Sequence, residues 1–216
     1  MHLRLQPISV FCFHHVSKEY DANSMNLKDW MQLDEFKNKV LSMQRNGVSF
    51  VSLTEAYHHI CRDVFRWRKY TVITFDDGYA SLKEVLPWLE EQKIPCTLFV
   101  NGKYLDGKSY RNNPKERYLT KDELFALVSP YIEIGSHGWE HTNAIEINSD
   151  EFKQCVQTNK ELLSMHPRYI PFYAYTWGKH SVETDRILSS IDIAPVYMDG
   201  KKNYDDSTVV HRELMS

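Results

Sequence analysis

The chain has 216 residues, 42% hydrophobic and 25% charged, a balance that excludes disorder, collagen and coiled coil and points to one domain over residues 1–216, or two at most. Its formal net charge of −3, with both signs interspersed, gives no electrostatic ground for nucleic acid or an anionic membrane as partner, so a small molecule is expected. A chain of this length buries roughly 70% of its unfolded surface and needs no staple, so any metal is expected to be catalytic.

In chain order, the first apolar run is Ile8–Phe13, too short for a secretion signal or a membrane span, which predicts a cytoplasmic protein. It is read as a strand, as are Val48–Leu53, Thr71–Phe75, Thr97–Val100, Tyr131–Ile134, Pro171–Tyr175, Pro195–Met198 and Thr208–Val210, all rich in β-branched and aromatic residues. Gly47 closes the first long helix. The stripe Leu82, Val85, Leu86 and Leu89 predicts a helix that either kinks at Pro87 or begins near it. Asn101–Lys121 is polar and reads as a surface excursion. Thr120 with Glu123 forms a capping box, and Ser149 and Ser181 precede acidic first turns, the former leading into the stripe Phe152, Val156, Leu162 and Leu163.

Strands alternating with helices argue for a parallel sheet covered on both faces, as an open doubly wound sheet or a closed barrel. No GxGxxG follows a strand, which lowers the dinucleotide-binding version. Cys12, Cys61, Cys96 and Cys155 are far apart and read as reduced thiols.

Polar residues directly after the strands are His14 and His15, Asp76 and Asp77, Asn101, His137 with His141, Trp177, Asp199 and His211. In parallel α/β folds these positions converge at the carboxyl ends of the strands. Gly78 permits a turn that could aim both Asp76 and Asp77 into one site, and two carboxylates so close need a cation or proton between them; the alternative is an ordinary solvated Asp-Asp-Gly turn. His137 and His141 share a face if their loop turns helically, and with Asp77 they would leave a fourth position open, as catalytic zinc requires. Glu140 points off that face. Tyr175 and Trp177 could present aromatic faces to a ligand, and His14 could line the site. His2, His58, His59, His166 and His180 read as structural or solvated.

Thr74-Phe75-Asp76-Asp77-Gly78 and Ser136-His137-Gly138-Trp139-Glu140-His141-Thr142 resemble the first two signature motifs of the polysaccharide deacetylase family of carbohydrate esterases, the NodB-homology type. Phe13-His14-His15-Val16 is similar to the Tyr-His-x-Val opening of one branch. The resemblance implies an α/β fold, an irregular (β/α)7 barrel in a single catalytic domain. It implies a divalent metal, Zn2+ first among the candidates, on Asp77, His137 and His141, with Asp76 as general base.

Ala174-Tyr175-Thr176-Trp177-Gly178 resembles the third motif but lacks the arginine that steadies the base in many members; a branch with Ala-Tyr-Pro-Tyr-Gly lacks it too. Trp177 would offer its backbone N–H to an oxyanion. Val209-Val210-His211 is similar to the last motif and implies His211 as general acid, with Arg212 where an aspartate usually follows; Met198-Asp199 is similar to the fourth, with Asp199 supporting His211. The implied activity is metal-dependent removal of an N-acetyl group from an amino sugar or a sugar-containing precursor, in surface-polysaccharide biosynthesis. The competing expectations are a deformylase or amidase on another C–N substrate and a catalytically silent glycan-binding homologue.

Overall fold

Runs such as Thr71–Phe75 favour extended backbone because β-branched and aromatic side chains pack well on a pleated surface. In a computed structural model, which describes residues 6–18, 30–61, 68–109, 116–204 and 208–215, these runs become the staves of a barrel. The order is β1 (Ser9–Phe13), β2 (His15–Ser17), β3 (Trp30–Gln32), α1 (Leu33–Arg45), β4 (Val48–Phe50), α2 (Leu53–Cys61), β5 (Lys69–Phe75), α3 (Leu86–Glu91), β6 (Cys96–Val100), α4 (Lys121–Phe125), β7 (Ile132–Ser136), α5 (Ser149–Leu163), β8 (Tyr169–Ala174), α6 (Val182–Ser189), β9 (Ala194–Met198) and β10 (Val210–Leu214). Strands β5 to β10 pair in sequence and in parallel, and β1 bridges β10 to β5, closing a seven-stranded ring. Strand β4 adds to β5 outside that ring, and β2 pairs with β3 as a separate ribbon. The open doubly wound alternative is thereby excluded.

Strand alternation sorts the side chains into two layers. Val10, Val72, Phe99, Phe172, Ala174, Val196 and Val210 cluster with Leu53, Ala56 and Ile60, so α2 plugs the amino-terminal mouth of the barrel. Ile73, Cys96, Leu98, Ile132 and Ile134 face outward onto Phe36, Leu86, Leu89, Leu124 and Leu163 of the covering helices. The plug is held by Glu133 of β7, buried, whose Oε2 accepts from the Leu53 and Thr54 amides at 3.0 and 3.3 Å and from Thr97 Oγ1 at 3.1 Å. A carboxylate there satisfies orphan amides at the helix start and complements its dipole.

Several elements differ from the sequence reading. Leu53 opens α2 instead of closing a strand. The predicted strand 208–210 starts at Val210 and runs to Leu214, because pairing with β9 (Arg212 to Met198) and β1 (Glu213 to Phe11) carries it through polar residues that apolar patterning ignores. Pro87 does not kink a helix: a 3₁₀ turn over Ala80–Glu84 precedes α3, with the proline in its first turn. The Thr120–Glu123 capping box is present; α5 is capped by Asn148, one residue before Ser149, in a box with Glu151. The stretch after β6 is no mere surface excursion, since Glu116, Tyr118 and Leu119 are buried and Leu119 N donates to Gly78 O at 2.9 Å. His2 lies outside the described residues. Among the described residues no helix is long and apolar enough to cross a membrane.

Replacing Glu133 with alanine strands three donors inside the barrel and should cost about 3 kcal/mol at ~1 kcal/mol each. For a domain of this size that lowers Tm by about 6–12 °C. Glu133→Gln keeps one carbonyl acceptor and should cost less; equal melting of all three proteins by circular dichroism would remove α2's anchor.

Candidate active site

The carboxyl end of β5 delivers Asp76 and Asp77 into the mouth opposite the plug. Asp76 N continues the ladder to Phe13 O at 2.9 Å, after which Asp77 (φ 69) and Gly78 (φ 79) turn left-handed in succession. A Cβ on Gly78 would stand 2.9 Å from Val100 Cγ1, so the turn demands glycine on both conformational and steric grounds. Both carboxylates are buried, at 2% and 6% exposure.

Strand β7 delivers His137. The loop that follows is irregular, not helical: Gly138 (φ 80) and His141 (φ 57) reverse it, bringing the two imidazoles to a ring separation of 5.2 Å. Asn101 Nδ2 donates to the His137 carbonyl at 2.5 Å, and buried Asn159 ties Val100 O, Ser136 Oγ and Gly102 N together at 3.0, 2.8 and 2.9 Å. Glu140 is turned away and pairs with Lys103. Of the five non-glycine residues with positive φ among the described residues, Asp77, His141 and Trp177 belong to this mouth; strain is concentrated where side chains must be aimed.

His137 Nδ1 lies 2.8 Å from the Ala174 carbonyl, which can only accept, so this nitrogen carries the proton and Nε2 presents a lone pair. That lone pair faces Asp77 Oδ1 at 3.4 Å, and His141 Nε2 faces the same oxygen at 3.3 Å. Asp77 Oδ1 is buried without a hydrogen-bond partner. Donors bound tetrahedrally at about 2.0–2.1 Å lie about 3.4 Å apart. The three ligand atoms lie within 4.8 Å of one another, and this orphaned oxygen between imidazole nitrogens fits a divalent ion.

Burial pushes His137 down to about 4, keeping it neutral and available as a ligand. Burial raises the Asp77 carboxyl, but the adjoining His141 imidazole, with those of His14 and His137, outweighs it and holds the group below the usual carboxylate range. Burial likewise raises Asp76 and is overcome, chiefly by Arg212, so that it too is lowered.

These groups line a cavity of about 210 Å³ together with His14, Tyr175, Trp177, Gly178, Met198, Arg212 and Leu214. His14 directly follows β1; a ring nitrogen lies within 4.8 Å of an Asp76 oxygen, and its Nδ1 is buried with no hydrogen-bond partner. Trp177 is 66% exposed at the rim, its ring edge-on to His141 at 5.0 Å. Tyr175 is 1% exposed and packs outward against Phe152 and Tyr173, with its hydroxyl donating to Asp185 at 2.9 Å, so its ring offers no face to a sugar.

His211 is not brought to the mouth. Inside β10 it alternates with Val210 and Arg212, which face the barrel interior, and it points out beside Tyr197 at 5.7 Å. Asp199 does pair with it, at 3.0 Å, but on that outer wall. The inward residue is Arg212, fully buried, whose Nη1 and Nη2 each lie 2.6 Å from a different oxygen of Asp76; sequence reading had no signal for this pair, 136 residues apart. A larger cavity of about 760 Å³ lies between α2 and α6, lined by Tyr57, Phe172, Ile193 and other apolar residues together with His58, Asp185, Arg186 and Asp192; among the described residues no metal-ligating cluster falls in it.

A family model for polysaccharide deacetylase matches residues 66–196, more than half of the chain. YxkH of Bacillus subtilis (strain 168), whose name places it among the polysaccharide deacetylases, is 22% identical over 179 residues; the match covers 82% of this chain and 59% of YxkH, so the chain spans about three fifths of that relative. Among solved structures, IcaB from Ammonifex degensii superposes with a TM-score of 0.81 at 21% identity, covering 100% of this chain and 94% of IcaB. The Streptococcus pyogenes deacetylase PplD in complex with acetate gives 0.83 at 16%, covering 98% and 93%. The BpsB deacetylase domain from Bordetella bronchiseptica gives 0.73 at 17%, covering 96% and 95%.

Metal-free protein should lose stability on mild acidification. His137 binds its proton near 6.5 when unfolded but only near 4 when folded, so between those values the unfolded chain holds more protons and stability rises with pH. The loss between pH 7 and 4 is about 3 kcal/mol, and Asp76 and Asp77, both lowered, titrate below that window. Chelator-treated wild type and His137→Gln, melted across this range, should show the steeper decline in wild type.

Proposed function

Because the chain belongs to the polysaccharide deacetylase family, we propose that it hydrolyses the N-acetyl group of an amino sugar, in a glycan or a sugar-containing precursor of surface polysaccharide. The observation that carries this reading is the meeting, in one buried mouth, of three metal donors with a separate carboxylate beside them. A silent homologue has no use for that combination. The cavity, below the 300–1,000 Å³ usual for a drug-sized ligand, suits the acetamido end of a substrate whose remainder lies outside.

Asp77, His137 and His141 hold the ion in this reading, and Zn2+ matches a set of two imidazoles and one carboxylate. When bound, it supplies Lewis acidity to the carbonyl and makes water a nucleophile near neutral pH. Asp76, held ionised, accepts the proton of the attacking water. The Trp177 backbone N–H meets the charge developing on the carbonyl oxygen: the turn uses the Gly178 and Lys179 amides internally, at 3.1 and 3.2 Å, and leaves that of Trp177 outside its ladder. The exposed indole gives the sugar ring a face to lie on.

The leaving amine needs a proton, and here the geometry departs from the motif. His211 lies across the barrel wall from the reacting groups, whereas His14 lines the cavity with Asp76. His14 is therefore the general acid, and the Asp199–His211 pair belongs to the outer wall.

Asp77→Ala should lower Zn2+ affinity more than about 100-fold and abolish acetate release from N-acetylglucosamine oligomers. His14→Asn should lower kcat by about 10²–10⁴-fold with metal retained, and His211→Asn should stay within a small factor of wild type. Acetate release assayed on the three zinc-loaded variants decides the assignment; the reverse order for the two histidines returns the acid role to His211, and formate released in place of acetate changes the substrate.

A further inference from the structure

Arg212 stands in the middle of β10 with a relative exposure of 1%. Its fork grips both Asp76 oxygens at 2.6 Å, Nη1 lies 3.3 Å from Thr74 Oγ1, and the guanidinium carbon is 5.2 Å from the centre of the Phe99 ring. We propose that Arg212 is the positioning residue of the catalytic base, fixing the plane of the Asp76 carboxylate so that the lone pairs left free by the fork face the attacking water. This rests on the reading of Asp76 as base given above.

Three observations favour positioning over plain stabilisation. A buried ion pair is a poor stabiliser, since apolar residues of the same shape often match or better it, so stability alone gives little reason for a guanidinium here. The arginine orientation serves Asp76 at its own expense: Nε is buried with no hydrogen-bond partner. A fork also does what a single ammonium cannot, because two parallel bonds stop rotation about the carboxylate axis. The segment 174–178 carries no arginine, and its inward residue on β8 is the fully buried Ala174; β10 supplies the cation from two strands away.

The same grip limits the metal count. Cys12 Sγ, a His14 ring nitrogen and an Asp76 oxygen also lie within 4.8 Å of one another, resembling a second metal centre. Both Asp76 oxygens are already committed to a cation, and a dication there would be set against the guanidinium. The mouth is built for one ion.

The test compares wild type, Arg212→Lys, Arg212→Ala, Asp76→Asn and the Arg212→Ala/Asp76→Asn double variant, assayed for kcat and KM on N-acetylglucosamine oligomers and for Zn2+ affinity by titration. Arg212→Lys keeps a buried charge, so it should fold, yet lose about 100-fold in kcat with KM and Zn2+ affinity little changed. Guanidinium ion at non-denaturing concentration should restore activity to Arg212→Ala and not to Asp76→Asn, and the double variant should be no slower than Asp76→Asn. A wild-type kcat in Arg212→Lys, a loss confined to KM or to Zn2+ binding, or multiplying losses in the double variant overturns the proposal. Melting temperatures read the pair without activity: the double variant should recover most of what each single variant loses, and additive losses overturn the pairing. A zinc-loaded wild type that hydrolyses no acetamide overturns the functional reading instead, and the melting cycle still decides the pairing.

Discussion

Three electron-pair donors aimed at one another in a nearly dry barrel mouth are the constraint on which the rest of this structure turns. The Ala174 carbonyl fixes the His137 tautomer, so Nε2 confronts Asp77 Oδ1 with a lone pair at 3.4 Å, while His141 Nε2 stands 3.3 Å from the same oxygen. Without a cation the His137 lone pair and the carboxylate oxygen repel, and a buried carboxylate oxygen with no hydrogen-bond partner costs about 1–3 kcal/mol or more. The fold must therefore be stiff enough to hold the donors in place, and its local irregularities serve that end. Left-handed turns at Asp77, Gly78, Gly138 and His141 aim the ligands, while Asn101 and Asn159 bind the loops that carry them to the ends of β6 and β7.

The opposite end of the barrel carries the complementary burden. Seven parallel strands leave a mouth at each end, and filling one with α2 confines open, wettable space to the other. Glu133 ties the plug to β7, the strand whose far end bears His137, so the element sealing the floor and the element presenting His137 to the mouth share one stave. Closure of the ring matters equally for Asp76, whose position is set by the ladder from Phe13 on β1, the strand that joins the two edges of the sheet.

Much of this was legible in the sequence because it is local. Asp-Asp-Gly after an apolar strand, two histidines four apart after another, the Thr120–Glu123 box and the Gly47 helix stop each depend on residues near in the chain. What failed depends on register. Reading 208–210 as a complete strand left His211 in a loop free to reach the site; two residues of displacement put it inside β10, where strict alternation sends it outward and Arg212 inward. Tyr175 borders the cavity, but its inward neighbour Ala174 commits its ring to the packing between β8, α5 and α6. The Arg212–Asp76 pair and the α2 plug join segments far apart in the chain, and nothing in either segment announces its partner.

That alternation also divides chemical labour along one strand. On its inner face β10 presents Val210 to the core, Arg212 to the base and Leu214 to the cavity; on its outer face it presents His211 to Asp199 and Glu213 to Lys202. The histidine–aspartate pair is thus well formed and yet sealed from the reacting groups by the barrel wall, so a good hydrogen bond between plausible residues is no measure of participation. Participation follows from which face of the wall a residue occupies. By that criterion Asp76, Asp77, His137, His141, His14 and Arg212 face one cavity, and the chemistry proposed for it draws on residues of that lining.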